Sequence, residues 1–114
     1  MIKLSIETKK LEEIENLSRQ VLDSLFTSVE LAGSSRITLA GKLAAKTAFL
    51  KNAGMPVIPE HYRKTEITKT LSGRPAVKIL DAELNEKISK FKTSVSISHT
   101  QDTAIAICVF YNPG

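Results

Sequence analysis

The chain has 114 residues, 42% of them apolar and 25% charged, which fits one folded domain with one hydrophobic core and excludes intrinsic disorder. Its longest uncharged apolar run, Ala104 to Tyr111, is too short to cross a bilayer, and the charged start of the chain lacks a signal peptide's apolar stretch. The net charge of +4 is concentrated in residues 31–74, which balance at +6, but only 5% of residues are aromatic and there is no basic stripe, so an anionic small molecule is expected there and nucleic acid is not.

Ile2, Leu4 and Ile6 alternate with polar residues, which predicts a half-buried strand with the isoleucines and leucine facing the core. From Leu11 to Leu25 the apolar residues recur every three or four positions, and the pattern reads as one amphipathic helix. Phe26-Thr27-Ser28 ends that helix, and Gly33-Ser34-Ser35 is a loop with capping hydroxyls. A second, alanine-rich helix is predicted from about Ile37 to Asn52, followed by an irregular segment to about Tyr62. Glu66–Thr70 and Ala76–Leu80 read as strands around the turn Ser72-Gly73-Arg74-Pro75. Asp81 is placed to cap a third helix carrying Leu84, Ile88 and Phe91.

Two closing strands are expected. Ser94–Ser98 and Ala104–Phe110 pair antiparallel, so that Val95, Ile97, Ile105, Ile107 and Val109 lie in adjacent strands, with Leu43, Ala44 and Leu50 packed over the sheet. Cys108 sits in the apolar strand and reads as core; as the only cysteine it implies a reducing, cytoplasmic setting. The fold class is α+β, a single domain over residues 1–114 with a small, mostly antiparallel sheet and helices packed on it.

The residues able to carry chemistry each have an ordinary structural reading beside the functional one. Lys42 and Lys46 share a helix face with Lys51 further on, among the small residues Ala40, Gly41, Ala44 and Ala45. That suits a phosphate-rich ligand approaching the backbone closely, or simply a solvated lysine face. Ser98, His99 and Thr100 end a strand and fit either a phosphate site or a turn, and Gly73, Arg74 and Pro75 fit a hairpin turn. Glu7 reads as a Mg²⁺ ligand beside phosphates or as a surface carboxylate. His61 has no ligand-spaced partner and is given no role.

Taken together, Ile6-Glu7-Thr8, Leu25-Phe26-Thr27…Glu30, Leu39-Ala40-Gly41-Lys42-Leu43-Ala44-Ala45-Lys46…Lys51, Glu66-Ile67, Ser72-Gly73-Arg74-Pro75 and Ser96-Ile97-Ser98-His99-Thr100 resemble the holo-acyl-carrier-protein synthase family of phosphopantetheinyl transferases, nearly end to end. The resemblance implies transfer of the phosphopantetheine arm of coenzyme A to a serine of an acidic acyl carrier protein, in fatty acid biosynthesis, by a homotrimer. It also implies a Mg²⁺ cofactor held by an Asp and a helix Glu, and a Lys one turn later on the phosphates. Those three positions fall on Glu7, Thr47 and Lys51, which makes Glu7 and Lys51 the catalytic candidates. Lys42, Lys46, Ser98, His99 and Thr100 would face coenzyme A, and Gly73, Arg74 and Pro75 would line its nucleotide side. The sequence departs from the pattern at Glu7, at Thr47, which supplies neither a carboxylate nor a base, and at Glu13, where the family offers a basic residue. Glu30 is the acid nominated to replace the missing carboxylate. A non-catalytic relative that binds coenzyme A or the carrier is the alternative.

Overall fold

In the computed structural model, which describes Met1 to Gly114, the alternating start of the chain forms β1 (Ile2–Lys10). The helix predicted after it is two helices, α1 (Leu11–Glu15) and α2 (Arg19–Leu25). Ser18 Oγ accepts the Val21 amide proton and begins a new helix at that point. Thr27 and Glu30 form a reciprocal capping box around a further turn of helix, α3 (Ser28–Leu31), in a segment that reads as loop. Ser35 caps the long α4 (Arg36–Asn52) through the Thr38 amide. Pro59, preset for the first helical position, opens α5 (Pro59–Tyr62) inside the irregular segment.

The hairpin strands β2 (Thr65–Lys69) and β3 (Pro75–Ile79) each start one residue earlier than their apolar patterns suggest, and Ile67 lies opposite Val77. Gly73 turns the hairpin with φ +85°, a backbone conformation that other residues adopt only with strain. Asp81 Oδ2 accepts the Leu84 amide proton and caps α6 (Ala82–Lys87), which stops short of Phe91. The closing strands are β4 (Lys92–His99) and β5 (Thr103–Tyr111). The fold is α+β, with a three-stranded antiparallel sheet in the order β1-β5-β4, and the β2–β3 hairpin stands apart as a second, two-stranded sheet.

Helix α4 lies across the inner face of the larger sheet. Ala104, Ala106, Cys108 and Phe110 of β5 are fully buried beneath it, in clusters that contain Leu43, Ala44, Phe49 and Leu50. The Phe49 and Phe110 rings meet edge to face with centroids 4.9 Å apart, and Phe91 closes on Phe110 from the other side. The small residues of α4 serve this contact. A Cβ added at Gly41 would lie 2.8 Å from Ile97 Cγ2, so the body brought close to the helix backbone is the sheet. Asn52 fastens the end of α4 to both long strands, accepting from Ser5 Oγ at 2.6 Å and donating to the Cys108 carbonyl at 2.9 Å.

β1 faces the opposite way from the sequence expectation. Ile2, Leu4 and Ile6 are 72%, 57% and 58% exposed, and Ser5, Glu7 and Lys9 point inward and are half-buried. The strand's period was legible, but which face meets the helix depends on its pairing with β5, where Ser5 sits opposite the inward Cys108. No helix is long and apolar enough to cross a membrane.

Burial pushes the Cys108 thiol up from its ordinary 9.0 to about 12, against the hydrogen bond from Asn52 that lowers it. Between those values the unfolded chain releases a proton that the folded chain keeps, so this thiol makes stability fall as pH rises. Urea unfolding of the native protein between pH 8 and pH 11 (about the accessible alkaline range) should show a decline that a Cys108→Ala variant shows less steeply. The difference in slope is limited to about 1.4 kcal/mol per pH unit.

Candidate functional site

The cations of α4 do not share one exposed face. Lys46 is fully buried, and its Nζ donates to Glu30 Oε1 at 2.7 Å and to the Leu25 carbonyl at 2.9 Å. Burial lowers its pKa and the Glu30 carboxylate opposes that shift. Glu30 is equally buried, and it accepts the Thr27 amide at Oε1 and the Ile67 amide at Oε2, 2.7 Å away. These two residues are an internal ion pair, which corrects two expectations: Lys46 has no free ammonium for a phosphate, and Glu30 has no free oxygen for a metal or a proton.

One turn earlier, Lys42 lies at the surface of a cavity of about 510 Å³ between α4, the β2–β3 hairpin and the end of β4. Its Nζ donates to the Glu30 carbonyl and to Ser34 Oγ, both at 3.0 Å, which leaves one of its three protons for a ligand. Lys69, His99, Pro75 and the backbone of Gly41 line the same cavity. Partial burial lowers the Lys42 pKa and the neighbouring Lys69 adds to the shift. Lys69 was absent from the sequence expectation; the only signal for it was its place in the basic central segment.

Arg74 lines an adjoining groove of about 430 Å³ with Thr70 and the outer half of β4, and Pro75 borders both spaces. Gly73 shapes the turn between them. Ser98 alternates with Ile97 and so points away from the cavity, opposite the outward Ile105. The Thr100 hydroxyl is used in the β4–β5 turn, accepting from the Thr103 amide and donating to Asp102 Oδ1.

A second polar cluster forms where β1 meets the other side of α4. Glu7 Oε1 is ion-paired with Lys51 Nζ. Thr47 is buried, donates its hydroxyl proton to the Leu43 carbonyl at 2.7 Å, and meets the Tyr62 hydroxyl at 2.8 Å. Burial raises the Tyr62 pKa, and Glu7 contributes in the same direction, so the phenol stays protonated. Tyr62 is a further residue that sequence reasoning missed, because it comes from a segment with no periodic pattern.

This cluster does not fit the Mg²⁺ site expected from the resemblance. Its one carboxylate is matched by Lys51, its other oxygens are neutral hydroxyls committed to one another, and no three His, Cys, Asp or Glu side chains gather anywhere in the chain. Lys42 and Lys51 are nine residues apart, which places them on opposite sides of α4 and about 13 Å apart along it. β1 and β4 likewise form opposite edges of the sheet. Within one chain the cavity and the Glu7–Lys51 cluster are therefore separate places.

The comparisons converge on one group of proteins. No family model matches the chain. It is 41% identical over 83 residues to a holo-[acyl-carrier-protein] synthase of Corynebacterium efficiens, covering 62% of this chain and 59% of that protein. It is 31% identical over 100 residues to a holo-[acyl-carrier-protein] synthase of a Hydrogenobaculum species, covering 83% of this chain and 81% of that one. Among solved structures, the Chronobacterium ammoniagenes synthase in complex with coenzyme A superposes with a TM-score of 0.80 at 25% identity, over 100% of this chain and 99% of that one.

Removing either partner of the Glu30–Lys46 pair leaves a buried charge unmatched. Lys46→Met and Glu30→Gln should each lower unfolding free energy by about 3–5 kcal/mol in denaturant titrations, with little dependence on added salt. Losses under 1 kcal/mol (about what an exposed pair contributes) would contradict the buried arrangement.

Proposed function

The chain belongs to the holo-acyl-carrier-protein synthase family, and on that premise we propose that it transfers the phosphopantetheine arm of coenzyme A to a serine of an acyl carrier protein. The observation that carries this reading is the cavity bearing Lys42, Lys69 and His99, whose size and charge suit the phosphates of a nucleotide-like ligand. Ile37, Ile97 and Pro75 contribute apolar walls, and Arg74 stands ready for the nucleotide side from the adjoining groove.

In the reaction the serine oxygen attacks the pyrophosphate phosphorus nearer the pantetheine. The new P–O bond forms as the bond to adenosine 3′,5′-bisphosphate breaks, and the serine proton must be taken up. Glu7 is the only carboxylate in the second cluster, so it accepts that proton, and Lys51 offsets the negative charge that develops on the pyrophosphate. The carrier would approach without the basic first-helix residue of the family, because α1 presents Glu12, Glu13 and Glu15.

Both half-sites are needed, which supports assembly into the family's homotrimer, with one subunit's cavity meeting another's Glu7 and Lys51. The outward face of the sheet supports it too. Ile2, Leu4, Ile6, Ile105, Ile107 and Tyr111 are all at least 37% exposed and lie on adjacent strands, β1 and β5, as a contiguous apolar patch of the kind that marks an interaction surface. The single buried thiol fits a cytoplasmic setting, and the reaction belongs to fatty acid biosynthesis.

Thr47 favours a second reading, a binding relative without transferase activity, because its hydroxyl replaces a helix carboxylate. Incubating the chain with coenzyme A and an apo carrier protein, then weighing the carrier by mass spectrometry, separates the two. A gain of one phosphopantetheine arm supports the transferase, in which case Glu7→Gln should slow transfer by about 100-fold or more while still binding coenzyme A, and Thr47→Glu should be faster. An unmodified carrier with retained coenzyme A binding establishes the binding relative.

In calorimetry, Lys42→Ala and His99→Ala should each weaken coenzyme A binding, by about tenfold for the lysine, and added salt should weaken binding to the native chain. Light scattering should give three times the 12.5 kDa chain mass, and Leu4→Glu should shift it toward one. A native mass equal to one chain would end the trimer reading.

A further inference from the structure

The proposed transfer would ordinarily require a divalent cation to neutralise the pyrophosphate. We infer that in this chain the Lys51 ammonium takes that place, so that coenzyme A binds at the Glu7–Thr47–Lys51–Tyr62 cluster without a divalent ion. The inference rests on the coenzyme A reading above and concerns how that site handles charge.

Two observations carry it. The first is the count of charges in the cluster. Glu7 is the only anion and is already ion-paired with Lys51, so the pair is neutral before any ligand arrives. A divalent cation entering there would have to displace Lys51 and then lie beside it, with a single carboxylate to hold it. Mg²⁺ needs six oxygens in strict octahedral array and gives up its water reluctantly, so one shared carboxylate provides little prior hold on it.

The second observation is how the position of the missing carboxylate is filled. Thr47 is 3% exposed, and its hydroxyl is satisfied by the Leu43 carbonyl and the Tyr62 hydroxyl. Tyr62 is 6% exposed, and its phenol completes the contact across from α5. No buried side-chain polar atom in the chain is left without a hydrogen-bond partner. The position is sealed by a neutral hydrogen-bonded pair, and it does not await a metal.

Lys51 has what the role requires. Its side chain is 53% exposed, whereas that of Glu7 is 15% exposed, so the carboxylate holds the ammonium from below while its other protons face outward. Lys51 lies in the last turn of α4, where the negative end of the helix favours a cation. A pyrophosphate arriving from a neighbouring subunit's cavity would meet the outward ammonium of a neutral ion pair, a donor that requires no dehydration of a bound ion.

The test is calorimetry of the full chain with coenzyme A, in EDTA and in excess MgCl₂, paired with an electron paramagnetic resonance titration of the ligand-free chain with Mn²⁺ as probe ion. The expected result is an affinity equal in the two buffers within about twofold, and a loss of about tenfold in both for Lys51→Met. Mn²⁺ should be taken up no more by the native chain than by Glu7→Gln. Tightening of coenzyme A by Mg²⁺ of about tenfold or more, an unchanged affinity for Lys51→Met, or Mn²⁺ uptake that Glu7→Gln abolishes would each overturn the metal-free centre and leave the coenzyme A reading standing. Absence of binding in both buffers would overturn the coenzyme A reading, and this inference with it.

Discussion

The ion pair between Glu30 and Lys46 is the constraint on which the arrangement of the other parts depends. Burying two full charges costs several kcal/mol each, and the cost is offset only when every remaining hydrogen-bonding position is used. Here the carboxylate takes the Thr27 amide, the Ile67 amide and the lysine, and the lysine also takes the Leu25 carbonyl. One pair thus ties the end of α2, the start of α3, the middle of α4 and the β2 strand to a single geometry. Its value is positional. A well-packed apolar replacement would hold these elements as firmly, but it would not fix the height of the hairpin against the helix to within a hydrogen bond.

The cavity inherits that geometry. Glu30 offers its own carbonyl to Lys42, so the residue that anchors the interior also aims the cation at the surface. The hairpin fixed by the Ile67 amide carries Lys69 and Pro75 to the facing wall. On the third side, Ile97 and His99 arrive on β4, whose distance from α4 is set by the bare backbone of Gly41. A side chain there would push strand and helix apart and open the cavity wall. Stability and binding surface are in this sense one structure, seen from the inside and the outside.

Toward the end of α4 the same helix serves a different purpose. Asn52 bolts it to β1 and β5, and this brings Glu7 within reach of Lys51. The helix therefore presents cations in opposite directions, one toward each edge of the sheet. The outer face of the sheet, where Ile2, Leu4, Ile6, Ile105 and Ile107 are exposed, lies on the side away from that helix. Charge balance and packing both follow from the direction in which a few lysines leave one helix.

The sequence by itself determined the elements that depend on local chemistry. The strands and long helix were legible from their periods, the Asp81 cap from its side chain, the Gly73 turn from its freedom at positive φ, and the family from the order of its motifs. It missed α3 and read α1 and α2 as one helix, because a four-residue helix is too short to show a period and the Ser18 cap interrupts an apolar pattern that continues unbroken across it. Only the tertiary structure decided which way side chains face. A period of two gives β1 two faces, but pairing with β5 turned Ile2, Leu4 and Ile6 outward. Spacing of four put Lys42 and Lys46 on one side of α4, yet one reaches solvent and the other is enclosed, because Glu30 arrives from 16 residues away to neutralise it. Periodicity records where a residue lies on its own element; charge burial is settled by what another element brings against it, and that information is in no local stretch of the chain.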